Sequence, residues 1–321
     1  MRNSNLKKSV SCAVAAVMAT TFLFAGCSSS GAVSSAASSS AAETSSAAAG
    51  TGSSASLETL DFATVLDSFS KGSLKSGNWD RTNIISADTT TTATIAVPES
   101  GQESKPVIMM KGNPGTLDNS GALTTDPDKN SYFSSALLLK DGGAAQYGDG
   151  IFKFKEKVSG PYDNQLNTAI VFRDAAPQKL LSDDAVTTAL AIVTFGGDVQ
   201  IQRNYKGSSG KVVKQEVVKD TGVKIGDNKY HYFILAMQDA SSTTKVKLWI
   251  DGNVAYEGNV DGITGKGAIQ LLQNSTPMYD SSKKPLTAKD HSGKLAPLTA
   301  CGEAYYGGYD DGPAVSDISL K

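Results

Sequence analysis

Hydrophobic and polar residues alternate along most of the chain beyond residue 80. In "KVKLWIDGNVAYEG" (245–258), Val246, Leu248 and Ile250 alternate with Lys247 and Trp249. A period of two places the first set toward a core and the second on the opposite face. The Asp251-Gly252 pair supplies the positive φ angles of a tight hairpin turn. "GIFKFKEKV" (150–158) repeats the pattern, with Phe152 and Phe154 set against Lys153 and Lys155. Further strands are predicted at "TNIISA", "TTTATIAV", "KPVIMMKG", "SYFSSALLLK", "NTAIVFRDA", "TTALAIVTF", "DVQIQRNY", "KVVKQEVV", "YHYFILAMQ", "GAIQLLQ" and, last, "PAVSDISLK". Many short strands broken by Gly, Asn, Asp and Pro predict an all-β sandwich or barrel. The stretch 57–70 reads as one short helix or a lead-in, and about 40 residues between 274 and 312 read as one long connection, of the kind that is often functional.

The N-terminus follows another rule. Arg2, Lys7 and Lys8 precede an apolar run from Val10 to Phe24, which ends in "LFAGC". A basic head, a short apolar core and small residues before a cut site make a secretory signal. The run is shorter than the ~20 residues that comfortably span a bilayer. "LFAGC" resembles the lipobox of bacterial lipoproteins, which implies a signal over 1–26, cleavage before Cys27 and lipid on that sulfur. Residues 27–56 are nearly all Ser, Ala, Gly and Thr; they cannot bury enough surface to fold and read as a flexible tether. The expected address is the outer face of a bacterial membrane, Gram-positive by composition. Residues 57–321 are left for one β domain, within reach of single sandwiches of about 200–250 residues.

Charge and cysteine narrow the partners. The formal net charge is −2, and loss of Arg2, Lys7 and Lys8 makes it about −5, which argues against nucleic acid and against a polybasic membrane patch. Of three cysteines, Cys12 leaves with the signal and Cys27 carries lipid, so Cys301 has no partner for an internal disulfide. Stability must come from a core.

The order of segments has a family likeness. "FSKGSLKSGNW" (69–79) resembles the opening of many carbohydrate-binding and laminin-G-like modules. "GIFKFKEKVSGPYDNQLNTAIVFRDA" resembles their central hairpin, and "YHYFILAMQDASSTTKVKLWIDGNVAYEG" their late hairpin. "GAIQLLQ" and "VSDISLK" resemble their closing pair. The resemblance implies a two-sheet concanavalin A-like jelly roll of the lectin/glucanase type, similar to fructan-binding modules and to 3-keto-disaccharide hydrolase-like domains. It also implies sugar on one sheet face or at the rim loops, and frequently a structural calcium. The Lys-rich central strand and the long 274–312 segment depart from the family pattern.

Glucanases of this fold carry E-x-D-x-E or E-x-D-x-x-E on one strand, and no Glu in this chain has Asp two residues later. Glu257 and Asp261 lie four apart across a turn. His231 and His291 show no zinc-ligand spacing. The expectation is therefore capture of carbohydrate without bond breaking; the alternatives are a glycoside or keto-sugar hydrolase of the same fold and a protein-binding adhesin. Sugar binding needs aromatic faces and paired polar groups. The candidates are Arg173, whose alternation puts it beside Ala169 and Val171; Trp249 on the Lys247 face; Tyr305, Tyr306 and Tyr309 in the Gly-rich "GEAYYGGYDDGP", read as a rim loop; and Tyr162 and Tyr205 near turns. Each has a bland counterpart: an ion-paired arginine, or rings that cover an edge. Calcium candidates are Asp126, Asp128 and Asn130, whose oxygens alternate, and Asp310 with Asp311. Ser131 and Leu137 stand where an EF-hand would have Gly and Glu.

Overall fold

The computed structural model describes residues 57–65, 79–85, 92–96, 107–111, 118–120, 133–140, 143–144, 146–159, 167–177, 179–274, 282, 284, 286–289, 295–297 and 303–320. The signal, Cys27, the tether, Asp126, Asp128, Asn130, Tyr162, His291 and Cys301 lie outside them.

The elements are β1 (Thr59–Asp61), α1 (Phe62–Val65), β2 (Trp79–Ile85), β3 (Thr92–Ala96), β4 (Val107–Lys111), β5 (Phe133–Lys140), β6 (Gly143–Ala144), β7 (Gly150–Ser159), β8 (Asn167–Asp174), β9 (Ala189–Phe195), β10 (Asp198–Lys206), β11 (Val212–Lys224), β12 (His231–Ala240), β13 (Thr243–Ile250), β14 (Asn253–Asp261), β15 (Ala268–Asn274), β16 (Thr287–Lys289), β17 (Leu295–Pro297) and β18 (Glu303–Gly307). They form a two-sheet jelly-roll sandwich. The first sheet runs β14-β13-β12-β7-β18-β4-β3, with β1 parallel to β7. The second runs β11-β10-β9-β8-β15-β5-β2, with β6 beside β5, and β16 and β17 pair as a small ribbon.

The alternation of each strand builds the core. Phe152 and Phe154 of β7, Phe172 of β8 and Phe233 of β12 are all buried between the sheets. Phe154 stacks on Phe233 at 5.0 Å, and Phe152 meets Phe172 at the same distance. Each such ring contributes about 1.5–3 kcal/mol by burial. Phe62 of α1 lies 5.4 Å from Phe154 and closes the layer. The β13–β14 turn has Asp251 at φ 50° and Gly252 at φ 79°, as the Asp-Gly pair predicts. Asp251 also ties the turn to β12: its Oδ1 accepts from the Tyr232 amide at 2.9 Å, and its own amide donates to the Tyr232 carbonyl at 2.8 Å.

Two readings at the C-terminal end need correction. "PAVSDISLK" is not a strand; residues 308–320 are irregular, and the last strand is β18, inside the segment read as a rim loop. Val315, Ile318 and Leu320 are spaced by three and then two, which fits no strand period, and they pack across the outside of the first sheet. The glycines around β18 hid a short alternation: Ala304 and Tyr306 face the core, and Tyr305 faces out. Part of the long 274–312 connection also has structure, in β16, β17 and β18.

Candidate functional site

Strand β7 sits between β12 and β18, and its outward residues after Ile151 are Lys153, Lys155 and Lys157. Neighbouring elements answer with tyrosines. The Lys155 and Lys157 ammoniums lie 4.9 and 5.0 Å from the centre of the Tyr230 ring, just before β12. Lys157 also lies 4.5 Å from the Tyr305 ring of β18, and Lys153 5.8 Å from that of Tyr309. Tyr232 meets Tyr309 edge-on at 5.6 Å. These four tyrosines are half-buried, as are Lys153 and Lys157, while Lys155 is 3% exposed. A cation over a ring gains about 0.5–2 kcal/mol, more as water is excluded. The face is thus a strip of rings and ammoniums that order one another.

Trp249 lies on this same outer face, as its alternation predicts, but it is covered. Tyr309, Val315, Ile318 and Leu320 pack with Ile151, Ile234, Ala236 and Trp249, leaving the indole 2% exposed. Lys247 rests 4.9 Å from the indole and pairs with Glu257 at 3.1 Å. Tyr309 donates its hydroxyl proton to the Pro313 carbonyl at 2.8 Å. Burial, then Asp251, Tyr232 and Asp61, raise its phenol pKa.

Arg173 is not on a binding surface. Its φ is 54°, and the β15–β8 register shifts between Ala268 and Gln270, which marks a bulge. The bulge breaks the alternation and turns the guanidinium between the sheets. Nη1 donates to Asp239 Oδ1 at 2.5 Å, to Thr244 Oγ1 at 2.9 Å and to the Ile263 carbonyl at 2.9 Å; Nη2 donates to Asp149 Oδ1 at 3.0 Å. The side chain is fully buried. Asp239 would rise in pKa by burial, but bonds from Gly265, Arg173 and Thr244 hold it below the ordinary carboxylate value. Gly267 makes the bulge feasible, since a Cβ there would stand 2.2 Å from the Arg173 carbonyl carbon.

Tyr306 is likewise no ligand residue of the outer face: as the core-facing neighbour of Tyr305 it is 0% exposed. It hydrogen-bonds Glu156 and Thr168. Glu156 is in phase with Phe152 and Phe154, is 2% exposed, and its Oε1 has no hydrogen-bond partner. Burial pushes its pKa up to about 8, against smaller opposing effects of Tyr306 and His231. His231 bridges Asp251 at 2.7 Å and Asp227 at 2.9 Å; burial would lower its pKa, but these two carboxylates raise it.

Tyr205 belongs to another edge. Arg203 stacks on it at 4.1 Å and pairs with Glu216 at 2.5 Å. Beside it, Lys219, Val254, Ala255, Tyr256 and Glu257 line an open depression of about 360 Å³. The outer face of the second sheet is closed: Ala169, Val171, Ala189, Ala191, Val193 and Leu272 pack under Leu181 and Val186. Asn204 fixes that cover by donating to the Leu181 and Val186 carbonyls at 2.7 and 3.0 Å.

Among the described residues no three His, Cys, Asp or Glu side chains gather to hold a metal ion, and exposed Asp310 and Asp311 remain a pair in a turn. The calcium implied by the resemblance finds no ligand set there. Of the sequence candidates, Trp249, Tyr305 and Tyr309 share one face, while Arg173, Tyr306 and Tyr205 do not join them. The β7 lysines, Tyr230 and Tyr232 were missed as candidates, although the Lys-x-Lys-x-Lys alternation and "YHY" were legible.

No family model matches the chain, and no curated protein matches it. Among solved structures it is similar to a Bacillus licheniformis β-glucanase, at 14% identity and TM-score 0.39, over 73% of this chain and 91% of that one. An endo-β-1,4-glucuronan lyase from Trichoderma reesei is similar at 14% identity and TM-score 0.43, over 74% and 91%. A Bacteroides ovatus mixed-linkage glucan family 16 protein, in complex with a product, is similar at 12% identity and TM-score 0.42, over 75% and 96%. At these values the likenesses bear on neither activity nor ligand.

Proposed function

We propose that the chain captures carbohydrate, without cleaving it, on the outer face of the first sheet, held outside the cell by lipid on Cys27 and the Ser/Ala-rich tether. The observation that carries this reading is the convergence of Tyr230, Tyr232, Tyr305 and Tyr309 with three lysines on that face. Phenol rings offer apolar surface to sugar C–H groups, and ammoniums and phenol hydroxyls bind sugar oxygens. Rings and cations already held in place lose little freedom when a ligand arrives.

Retaining hydrolysis needs two carboxyl groups about 5–5.5 Å apart around the bond, and inverting hydrolysis a pair somewhat further apart. The outward residues of β7 and of β12 up to Ala236 are lysine, tyrosine and aliphatic, and Tyr305 stands in β18 between two inward residues. Glu156, the carboxyl with the acid-like pKa, faces the interior on the wrong side of β7.

The test is the full chain on a glycan array, alongside Tyr305→Ala. Retention of a glycan by the parent, its loss in the variant at an unchanged melting temperature, and no release of reducing ends are expected. Silence across plant, fructan, host and wall glycans, or steady release of reducing ends, would count against capture.

A further inference from the structure

We infer that Trp249 is a further sugar-stacking subsite, and that residues 313–320 form a displaceable strap whose place over the indole is taken by a pyranose unit of a bound glycan chain. The inference rests on the capture reading above and extends its site along the same face. Ile234 stands opposite Trp249 in the register, so Tyr232, two residues earlier on β12, is the diagonal neighbour of Trp249. Such neighbours lie about 7–8 Å apart, which makes the indole the next ring beyond Tyr232. Tyr309 belongs to both groups: it meets Tyr232 edge-on and packs in the cluster that covers Trp249. Polar groups stand at the border of the indole, where Lys247 lies 4.9 Å from its ring and pairs with Glu257. Val254, opposite Trp249 on β14, is 53% exposed, and with Glu257 it lines the open depression of about 360 Å³. Open space therefore begins one strand beyond the indole.

The outer faces of the two sheets are covered by different means. On the second sheet Leu181 and Val186 are buried, and Asn204 holds the carbonyls of both. Backbone bonds from Ala175 to Thr188, from Asp183 to Leu180 and from Val186 to Asp183 fix the shape of that cover. On the first sheet Val315, Ile318 and Leu320 are only half-buried, and among the described residues no backbone hydrogen bond joins 313–320 to the sheet. The strap is held at its start: the Tyr309 hydroxyl bonds the Pro313 carbonyl, and a Cβ added at Gly252 would stand 3.3 Å from the Pro313 ring. Beyond Pro313 its hold on the indole is aliphatic, and the C–H face of a pyranose replaces such contacts in kind. Lifting it strands no strap-to-sheet backbone bond, so the cost that protects a hydrogen-bonded cover is missing here. A cover that must open lowers apparent affinity by the fraction of molecules that are open, so loosening it strengthens binding of any chain that reaches Trp249.

The experiment is calorimetric titration of the full chain with hexasaccharides of β-1,4-glucan, β-1,3-glucan and fructan. Ile318→Ala/Leu320→Ala is the loosened form, and Leu181→Ala is the matched truncation in the cover of the second sheet. A hexasaccharide of this set should bind the loosened form about tenfold tighter than the parent. Adding Trp249→Phe to the loosened form should abolish the gain, and Leu181→Ala should give none. Binding of the same hexasaccharide to the parent should change tryptophan emission, and the change should be absent from Trp249→Phe. Should the double variant melt below the assay temperature, Leu320→Ala alone serves, with the same signs and a smaller gain. Equal affinity in the parent and the loosened form overturns the inference, as does a gain that survives Trp249→Phe; both leave capture by the exposed tyrosines standing. Failure of the loosened form to bind any of these hexasaccharides, while the parent retains a glycan on the array, also overturns it. Failure of the parent to bind any glycan overturns capture as well.

Discussion

Glu156→Gln separates the charge of the sandwich interior from its shape. Glu156 and Thr168 both meet the Tyr306 hydroxyl, and Thr168 Oγ1 donates to the Leu272 carbonyl at 2.8 Å. The hydrogen bond with Tyr306 and the field of His231 favour the ionised carboxyl, and burial outweighs both. The net result is a pKa raised from 4.5 to about 8. The folded chain therefore keeps a proton that the unfolded chain has released. The Glu156 contribution to stability is complete below about pH 4.5 and is lost as pH rises toward 8, by about 1.4 kcal/mol per pH unit and about 5 kcal/mol in total. That is as large as the entire net stability of many domains, about 5–15 kcal/mol. Glutamine keeps the shape and carries no charge at any pH. Urea unfolding of both proteins between pH 4.5 and 9 should give curves that coincide at the acid end and diverge upward, with the variant more stable at pH 8 and above. Parallel curves would show that Glu156 is ionised in the fold and that burial does not hold its proton.

Three further outcomes are expected. Arg173→Ala leaves buried Thr244 and half-buried Asp239 without their donor and should cost about 1.5–3 kcal/mol in urea unfolding, while glycan retained per folded molecule stays constant; weakened retention at full stability would restore Arg173 as a ligand residue. His231 has a raised pKa, so its stabilising contribution is complete below pH 6.5 and fades as pH rises through the folded value; NMR titration of its ring should show the upward shift, and Asp251→Asn should reduce it. Ile318→Ala/Leu320→Ala should loosen the cover over Trp249 and move tryptophan emission to the red, with no more than about 2–5 kcal/mol lost per site, as for a core truncation.

The sequence was most legible where structure is local. Alternation located β7 through β15, and it set Phe152 and Leu248 inside and Lys153, Lys247 and Trp249 outside. It failed where a distant residue decides. Arg173 turns inward because Gly267, just before the neighbouring strand β15, has no side chain to occupy the space of the bulge. Trp249 is covered because residues 315–320 return across the sheet, and no pattern near residue 249 reports that return. Tyr305 and Tyr306 were read as equals because the flanking glycines suggested a loop. Once they belong to a strand they must part, one to the surface and one to the core.

That parting explains why one strand serves two purposes. The outward set of β7 puts charge on the surface, and its inward set, Phe152, Phe154, Glu156 and Val158, must remain uncharged to pack. The core is closed by polar groups at two places along the strand: Arg173 with Asp149 and Asp239 at the start, and Glu156 with Tyr306 and Thr168 about 24 Å further on. The first is a charged cluster satisfied by ion pairs, and the second is neutral only while it holds its proton. Alkaline conditions should therefore loosen the second end first. Since Lys155, Lys157 and Tyr305 lie on the opposite side of that same end, ligand binding there should weaken above pH 8 in the parent and persist in Glu156→Gln, as a titration at pH 7 and pH 9 would show. Equal loss of binding in both proteins would mean that the interior and the face are not coupled through the strand.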